Sequence, residues 1–185
     1  LGPCAGLADR TEYRKAIALN PRLPGIQLNL GLTEYKEGRF QAAIPPLRAA
    51  LLQDPRSQQA RTLLGLSCYG ASRFAEAVKY LEPVARLDPA NAELHQVLAQ
   101  SCLRAKKYPC AQEQFRQLLR QNPDSAPAHM LLGQALDVLQ RTHEAIAEFE
   151  AAAKVAPQEP SVHVGLGYLR WRLRQYDEAK AEFEL

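Results

Sequence analysis

The chain repeats itself with a period of 34 residues. Five prolines that would close short loops lie at this spacing without an insertion: Pro21, Pro55, Pro89, Pro123 and Pro157. Ten residues after each proline comes a small residue preceded by leucine, and twelve residues later an alanine. Five copies in strict register are incompatible with chance, and a fixed period of this length is typical of proteins built from stacked structural repeats.

Each 34-residue unit holds two apolar-periodic stretches of about a dozen residues, the usual length of a helix. The recurrent small residues, such as Gly31 on the first stretch and Ala43 on the second, would let the two helices approach closely. The Asn-Pro or Asp-Pro step ends the second helix, because a residue before proline avoids helical geometry. One helix pair cannot bury its apolar face alone, so the period predicts an all-α solenoid of stacked antiparallel helix pairs.

Prolines also occur inside the second helices. The segment AAIPPLRAALLQDP contains Pro45 and Pro46, and Pro83 falls in the same helix of the next unit. Each proline removes a hydrogen bond, but the apolar register continues past it to the closing proline. We therefore expect kinked but continuous helices near 41–53 and 75–87.

Composition restricts the function. The net charge is only +3 and is spread along the chain, which disfavours a nucleic-acid partner. No apolar run approaches the ~18–20 residues of a membrane span, so no membrane partner is expected. The sequence contains no phosphate-binding loop, catalytic triad signature, metalloprotease motif or dinucleotide-binding turn, so we expect no catalytic residues, metal site or cofactor. The compartment stays undetermined.

The pattern of Leu-Gly, Ala, a large residue and a closing Pro resembles the tetratricopeptide repeat family. The resemblance covers nearly the whole chain and implies a right-handed α-solenoid in one domain, residues 1–185. The segments are the second helix of a partial repeat, four full repeats and an incomplete repeat: 1–23, 24–57, 58–91, 92–125, 126–159 and 160–185. The first residue is Leu1 and the last residues read as a helix in progress, so we expect a fragment of a longer protein.

The resemblance implies a non-enzymatic protein–protein interaction scaffold. In this family the first helices line a concave groove that commonly holds a peptide or a partner segment. Carried over by position, the groove candidates are Leu28, Asn29, Leu32, Tyr35, Lys36, Gln59, Thr62, Leu66, Tyr69, Glu93, Gln96, Gln100, Leu103, Arg104, Met130, Gln134, Asp137, Val138, Ser161, Val164, Tyr168, Trp171 and Arg172. The tyrosines, Trp171 and the arginines are the best candidates, since aromatic and Arg side chains dominate binding hot spots.

Some relatives clamp the terminal carboxylate of a chaperone peptide with Lys and Asn in the groove. The corresponding positions here are apolar or acidic: Leu28, Leu32, Leu63, Glu93 and Val97. The clamp is therefore absent, and an apolar segment fits better than an acidic one. Two alternatives stay open, namely a substrate-docking arm of a larger enzyme and a module that self-associates through uncapped ends.

Three further sets of residues have simple structural interpretations. His95, His129 and His163 recur with the period and are expected to pack in place of an aromatic residue rather than bind zinc. Buried free thiols are favoured for Cys68, Cys102 and Cys110, although a Cys102–Cys110 bridge within one unit is geometrically feasible. Solvated helix faces are expected for several acids: Glu12, Glu34, Glu76, Glu113, Glu144 and Glu178.

Overall fold

The computed structural model describes residues 3–20, 23 and 25–185, with side chains from residue 11 onward. Pro21, the first periodic proline, and residues 1–2 of the partial repeat lie outside the described residues. All regular structure in the described part is α-helical. The helices are α1 (Pro3–Leu19), α2 (Ile26–Lys36), α3 (Phe40–Gln53), α4 (Gln58–Gly70), α5 (Phe74–Leu87), α6 (Ala92–Arg104), α7 (Tyr108–Gln121), α8 (Ala126–Val138), α9 (Thr142–Val155), α10 (Pro160–Arg172) and α11 (Tyr176–Phe183).

We call α2, α4, α6, α8 and α10 the A helices, and we call the other helices the B helices. Each A helix packs against the B helix that follows it, as the repeat pattern predicts. The all-α fold of stacked helix pairs is therefore confirmed. The chain divides into two compact units, Leu1–Asp88 with α1 to α5 and Pro89–Leu185 with α6 to α11.

Small residues set the closeness of each pair in the first unit. A Cβ atom on Gly31 would lie 2.4 Å from Cγ of Leu47, and one on Gly65 would lie 2.5 Å from Cγ of Leu81. Both leucines are fully buried, so neither has free space to move into. The recurrent small residue of the A helix thus packs directly against the recurrent large residue of the B helix.

The second unit uses the same contact with larger partners. Phe115 and Phe149 replace the leucines, and both are buried. A Cβ atom on Gly133 would lie 2.8 Å from the ring of Phe149. The core of this unit therefore rests on an aromatic ring against a small residue.

The turn from each A helix to its B helix has one geometry throughout the described chain. Its central residue has a positive φ at Gly38, Ser72, Lys106, Gln140 and Arg174, from 58° to 71°. The N–H of the following residue donates to a carbonyl five residues back, as in Arg73 to Cys68 at 2.7 Å. This bond closes the end of each A helix in a Schellman motif, which favours glycine at the positive-φ residue. Only the first of these five residues is glycine.

The proline-containing B helices are continuous. α3 runs through Pro45 and Pro46, and α5 runs through Pro83. The first two prolines free the carbonyls of Gln41 and Ala42, which are exposed residues. Water can therefore replace the missing donors. The predicted continuity of both helices is confirmed, and the predicted kink stays a prediction.

Candidate functional site

A crevice lies between α8 and α10, the two A helices at the end of the second unit. It contains two adjoining hollows of about 420 Å³ and about 290 Å³. Gln134 of α8 and Ser161 of α10 line both hollows. The first hollow is otherwise lined mainly by Ala126, Pro127, Met130 and Leu131, and the second by Asp137, Phe149, Val164, Gly165, Tyr168 and Leu169.

Local sequence signals fix where the two helices begin. The Ser125 hydroxyl accepts a hydrogen bond from the N–H of Ala128 at 3.4 Å, and Pro127 lies in the first turn of α8. The Glu159 carboxylate accepts from the Ser161 N–H at 3.4 Å and from its hydroxyl at 2.5 Å. These caps satisfy donors that a helix start would leave free, and they place Ser161 at the crevice mouth.

An apolar stripe is exposed along α10. Val164, Tyr168 and Trp171 are 58%, 52% and 56% exposed. Their spacing of four and three residues places them on one helix face. Val138 of α8 is also exposed. The stripe continues the second hollow outward, and large exposed aromatic side chains of this kind are what a partner surface uses.

The charged groups beside the second hollow neutralise each other. An Arg172 guanidinium nitrogen lies 2.5 Å from an Asp137 carboxylate oxygen, and another donates to the Thr142 hydroxyl at 3.2 Å. The same guanidinium stands 5.7 Å from the ring centre of Tyr168, within cation–π range. The three side chains thus hold one another at the edge of the crevice, and no net charge results from the pair.

The predicted groove residues of the first unit are less exposed. Tyr35 and Tyr69 are half-buried and contact Phe40 and Phe74 edge-to-face, with ring centres 5.6 Å and 6.0 Å apart. Leu28, Leu32, Thr62 and Leu66 are half-buried as well, whereas Asn29, Lys36 and Gln59 are exposed. Part of this row therefore packs within the unit.

On α6, Glu93, Gln96 and Arg104 are exposed, and Gln100 and Leu103 are half-buried. Of the predicted residues of α8 and α10, the structure brings six together around the crevice, namely Met130, Gln134, Asp137, Ser161, Val164 and Tyr168. Sequence reasoning missed Pro127 and Leu131 of the first hollow. Two signals could have indicated them. Leu131 directly follows the predicted groove residue Met130, and Pro127 lies in the first turn of α8.

Comparison with known proteins agrees with this architecture. Sequence models described as "Tetratricopeptide repeat" match residues 69–135, and others of the same description match 10–60, 28–92 and 138–185. The chain belongs to the tetratricopeptide repeat family. No curated protein matches by sequence.

Solved structures share the fold. A structure described as "Crystal structure of MamA" is 21% identical with a TM-score of 0.72, covering 84% of this chain and 91% of its own. "MamA 41-end from Desulfovibrio magneticus RS-1" is 20% identical with a TM-score of 0.72, covering 87% of this chain and 91% of its own. "MamA MSR-1 C2" is 25% identical with the same TM-score, covering 85% and 91%. Tetratricopeptide repeats generally mediate binding to protein partners and are generally non-catalytic, so the chain is a protein-interaction scaffold in this broad sense.

The histidines of the tetratricopeptide repeats pack as expected, and each has a partner that the sequence did not indicate. Nδ1 of His95, His129 and His163 lies 2.6, 2.7 and 2.7 Å from a side-chain oxygen 19 residues later, on Gln114, Glu148 and Glu182. Nε2 of His163 also lies 2.9 Å from the Pro157 carbonyl. Hydrogen bonding to Glu182, followed by that to Pro157, raises the pKa of His163 above its ordinary value. The partners recur with the 34-residue period as Gln114, Glu148 and Glu182, and this recurrence was the usable signal.

The expectation of free thiols is wrong for two of the three cysteines. Cys102 and Cys110 form a disulfide with their Cα atoms 5.8 Å apart, joining α6 to α7. The tight turn brings the end of one helix beside the start of the next, so a separation of eight residues suffices. Cys68 is a buried free thiol, and desolvation raises its pKa to about 11.

One predicted solvated acid is buried. Glu34 is only 1% exposed, and its carboxylate oxygens lie 3.2 Å from Arg14 and 2.5 Å from Arg39. The two arginines supply the opposite charge that a buried carboxylate requires. Glu76 is half-buried, so it is closer to the expected solvated position than Glu34 is. Desolvation opposes ionisation of Glu76, but hydrogen bonds and charge from Arg73 and Arg48 lower its pKa overall.

The described residues contain no group of three or more His, Cys, Asp or Glu side chains arranged to hold a metal ion. No helix among them has the length and apolar character needed to cross a membrane.

Proposed function

We propose that this chain binds an extended peptide or partner segment along the groove lined by its A helices, without catalysing a reaction. The observation that carries the proposal is the exposed stripe of Val164, Tyr168 and Trp171 beside the α8–α10 crevice. Isolated exposed apolar residues are ordinary, but a contiguous row next to a concave apolar site marks an interaction surface.

The proposed binding residues are those that the sequence indicates on the A helices. In the first unit they are Leu28, Asn29, Leu32, Tyr35, Lys36, Thr62 and Tyr69. In the second unit they are Gln96, Gln100, Arg104, Met130, Gln134, Asp137, Tyr168, Trp171 and Arg172. Exposed Tyr168 and Trp171 would supply most of the binding energy, because a large rigid side chain loses little conformational freedom on binding.

The ligand chemistry follows from what lines the groove. Leu28 and Leu32 stand where a chaperone carboxylate clamp would need cations or amides, so a chaperone tail is not the proposed ligand. Asp137 and Arg172 neutralise each other beside the second hollow. A mainly apolar, weakly charged segment of a protein is the proposed partner, and nucleic acid and membrane are not.

The test is a peptide selection followed by affinity measurements on matched variants. Peptides selected from a displayed random library on the intact chain are measured against Tyr168→Ala, Trp171→Ala and the control Tyr176→Ala. The exposed fraction of Tyr176, 58%, is similar to the 52% of Tyr168, but Tyr176 begins the B helix α11. We expect losses of at least about tenfold for the first two variants and no change for the control. Equal affinity of all three, with unchanged circular dichroism, would refute groove binding.

A second candidate is self-association through the apolar surface that Phe183 exposes on α11. Phe183 is 54% exposed, whereas Phe149 at the equivalent repeat position is 4% exposed. Leu185, close to Phe183 in the sequence, is also exposed. We propose that this apolar surface contacts a second copy. Light scattering over a concentration series tests it: mass should rise with concentration and fall back in Phe183→Ser, and a constant monomer mass would exclude it.

A further inference from the structure

The two hollows of the α8–α10 crevice suggest a specific ligand geometry, which rests on the proposed groove function. They are contiguous because Gln134 and Ser161 line both. Each has a mostly apolar wall, from Met130 and Leu131 in the first and from Val164 and Leu169 in the second. A continuous crevice with two separate apolar hollows accepts two bulky side chains of one chain segment.

The spacing of the hollows defines the segment. The α8 residues that line the first hollow centre on residue 130, and those of the second centre near residue 135. At a rise of 1.5 Å per residue, a separation of five to six residues puts the centres about 7.5–9 Å apart along the helix, and the i and i+2 spacing is the nearest same-face spacing of an extended strand. An extended strand places side chains i and i+2 on the same face about 6.6–7 Å apart. Adjacent side chains of a strand point to opposite faces and could not fill both hollows.

The polar groups at the junction suit a peptide backbone. The exposed Gln134 amide carries both donors and an acceptor, and it lies where the two hollows meet. The backbone of the residue between the two anchors would pass over this point. Its N–H and carbonyl can pair with such an amide without regard to sequence.

The charges near the crevice indicate an uncharged occupant. Asp137 is paired with Arg172, and Glu159 is engaged in capping the start of α10. A charged anchor side chain would enter an apolar hollow without a free counter-charge, which is costly. Bulky apolar anchors are therefore favoured at both positions.

We infer that the α8–α10 crevice binds an extended, uncharged peptide with bulky apolar side chains at positions i and i+2, and that Gln134 pairs with the backbone between them. The larger first hollow takes an aromatic side chain and the smaller second hollow takes a leucine-sized one. The inference goes beyond groove binding because it specifies both the spacing and the anchors.

The probe is a fluorescein-labelled peptide, Gly-Ser-Leu-Ser-Phe-Ser-Gly-amide, measured by fluorescence anisotropy with the intact chain. A register control, Gly-Ser-Ser-Leu-Phe-Ser-Gly-amide, has the same composition with adjacent anchors. We expect the first peptide to bind at least about tenfold more tightly than the second, since only one control anchor can enter the crevice. Replacing either anchor of the first peptide by Ala should cost a similar factor.

Two crevice variants assign each anchor to one hollow. Met130→Ala alters the first hollow and Val164→Ser the second, and each variant should become insensitive to the loss of one anchor, a different one in each case. Gln134→Ala should weaken all peptides by a similar factor. Gln175→Ala, an exposed glutamine before α11, is its matched control and should leave binding unchanged. Circular dichroism verifies that each variant is folded.

The outcomes separate this inference from the broader proposal. Equal binding of both peptides, weakened in Tyr168→Ala and Trp171→Ala, would overturn the i and i+2 spacing and leave groove binding standing. Variants that respond to the same anchor would overturn the two-hollow assignment. No binding of either peptide at millimolar concentration would also overturn the inference. In that case, library peptides that still require Tyr168 and Trp171 would show that the groove binds another segment.

Discussion

Tyr35 and Tyr69 in the first unit occupy the same repeat position as Trp171 in the second, yet their surroundings differ. The two tyrosines are half-buried against Phe40 and Phe74, whereas Trp171 is 56% exposed. The aromatic ring buttresses the turn between the A and B helices in the first unit and faces solvent in the second. A repeat position therefore specifies where a side chain stands but not what it contacts.

The neighbour at the start of the B helix accounts for part of this difference. The residue five positions later is Phe40 or Phe74 in the first unit and Tyr176 in the last repeat, where it is exposed. A phenylalanine without a polar group packs readily onto the preceding aromatic ring, and the edge-to-face contact adds to the burial. We therefore expect Tyr35 and Tyr69 to contribute more to stability than to binding, and Trp171 to contribute more to binding than to stability.

The largest effect should come from removing a buttressing tyrosine. Tyr69→Ala loses a half-buried ring and its contact with Phe74, which should lower the free energy of unfolding by about 2 kcal/mol. Trp171→Ala should lower it by less than about 0.5 kcal/mol, as for an ordinary surface substitution. Urea unfolding followed by circular dichroism measures both. Tyr69→Phe is the control and should retain most of the stability. Equal losses in the two alanine variants would contradict the comparison.

The next effect concerns Cys68 and Cys102, which also occupy equivalent positions. Replacing Cys102 and Cys110 together by alanine releases the α6–α7 link and should cost about 2 kcal/mol, measured by urea unfolding. Reducing agent should destabilise the parent chain but not this double variant.

Cys68 should resist iodoacetamide in the folded chain, because its pKa of about 11 leaves almost no thiolate near neutral pH. Peptide mapping by mass spectrometry would reveal the modification. Rapid labelling of Cys68 under native conditions would show that its environment is more open than the structure indicates.

A smaller effect on stability should distinguish the A-to-B turns that have glycine at the positive-φ residue from those that do not. Ser72→Gly and Gln140→Gly relieve a positive φ of 58° and 61° and should each raise stability by about 0.5–1 kcal/mol. Gly38→Ala should lower the stability by a similar amount, since glycine is the residue that the positive φ of 71° at this position favours. Thermal unfolding measures the changes. A loss of stability in the glycine variants would mean that the lost side chains contribute more than the backbone strain costs.

The smallest effect is a pH dependence in the last repeat. The folded chain raises the pKa of His163 through Glu182, so the protonated imidazole stabilises the fold. This stabilisation is complete below the unfolded pKa of about 6.5 and is lost as pH rises through the higher folded pKa. Stability should therefore fall above about pH 6.5, by well under the ~1.4 kcal/mol per pH unit of one full proton. Glu182→Gln should flatten this slope in urea unfolding at several pH values, and an unchanged slope would assign it to other groups.

Much of the fold was predictable because the repeat pattern states the same information five times. The helix pairs, their small-to-large contacts and the continuity of α3 through Pro45 and Pro46 all followed from register. The burial of Glu34 did not follow, because it depends on Arg14 and Arg39, which approach only when α1 and the turn after α2 are in place. The His163–Glu182 pair joins two helices of one repeat, and only its recurrence with the 34-residue period could have indicated it.

The sequence by itself determined the period, the helical class and the family, since these depend on the spacing of small, large and proline residues along one chain. The tertiary structure alone decided which groove residues remain exposed, because exposure depends on neighbours from other helices. Tyr35 and Trp171 are both aromatic and share a position in the repeat, but Tyr35 packs against Phe40 whereas Trp171 is exposed. The crevice between α8 and α10 likewise exists only where two helices distant in sequence leave space between them.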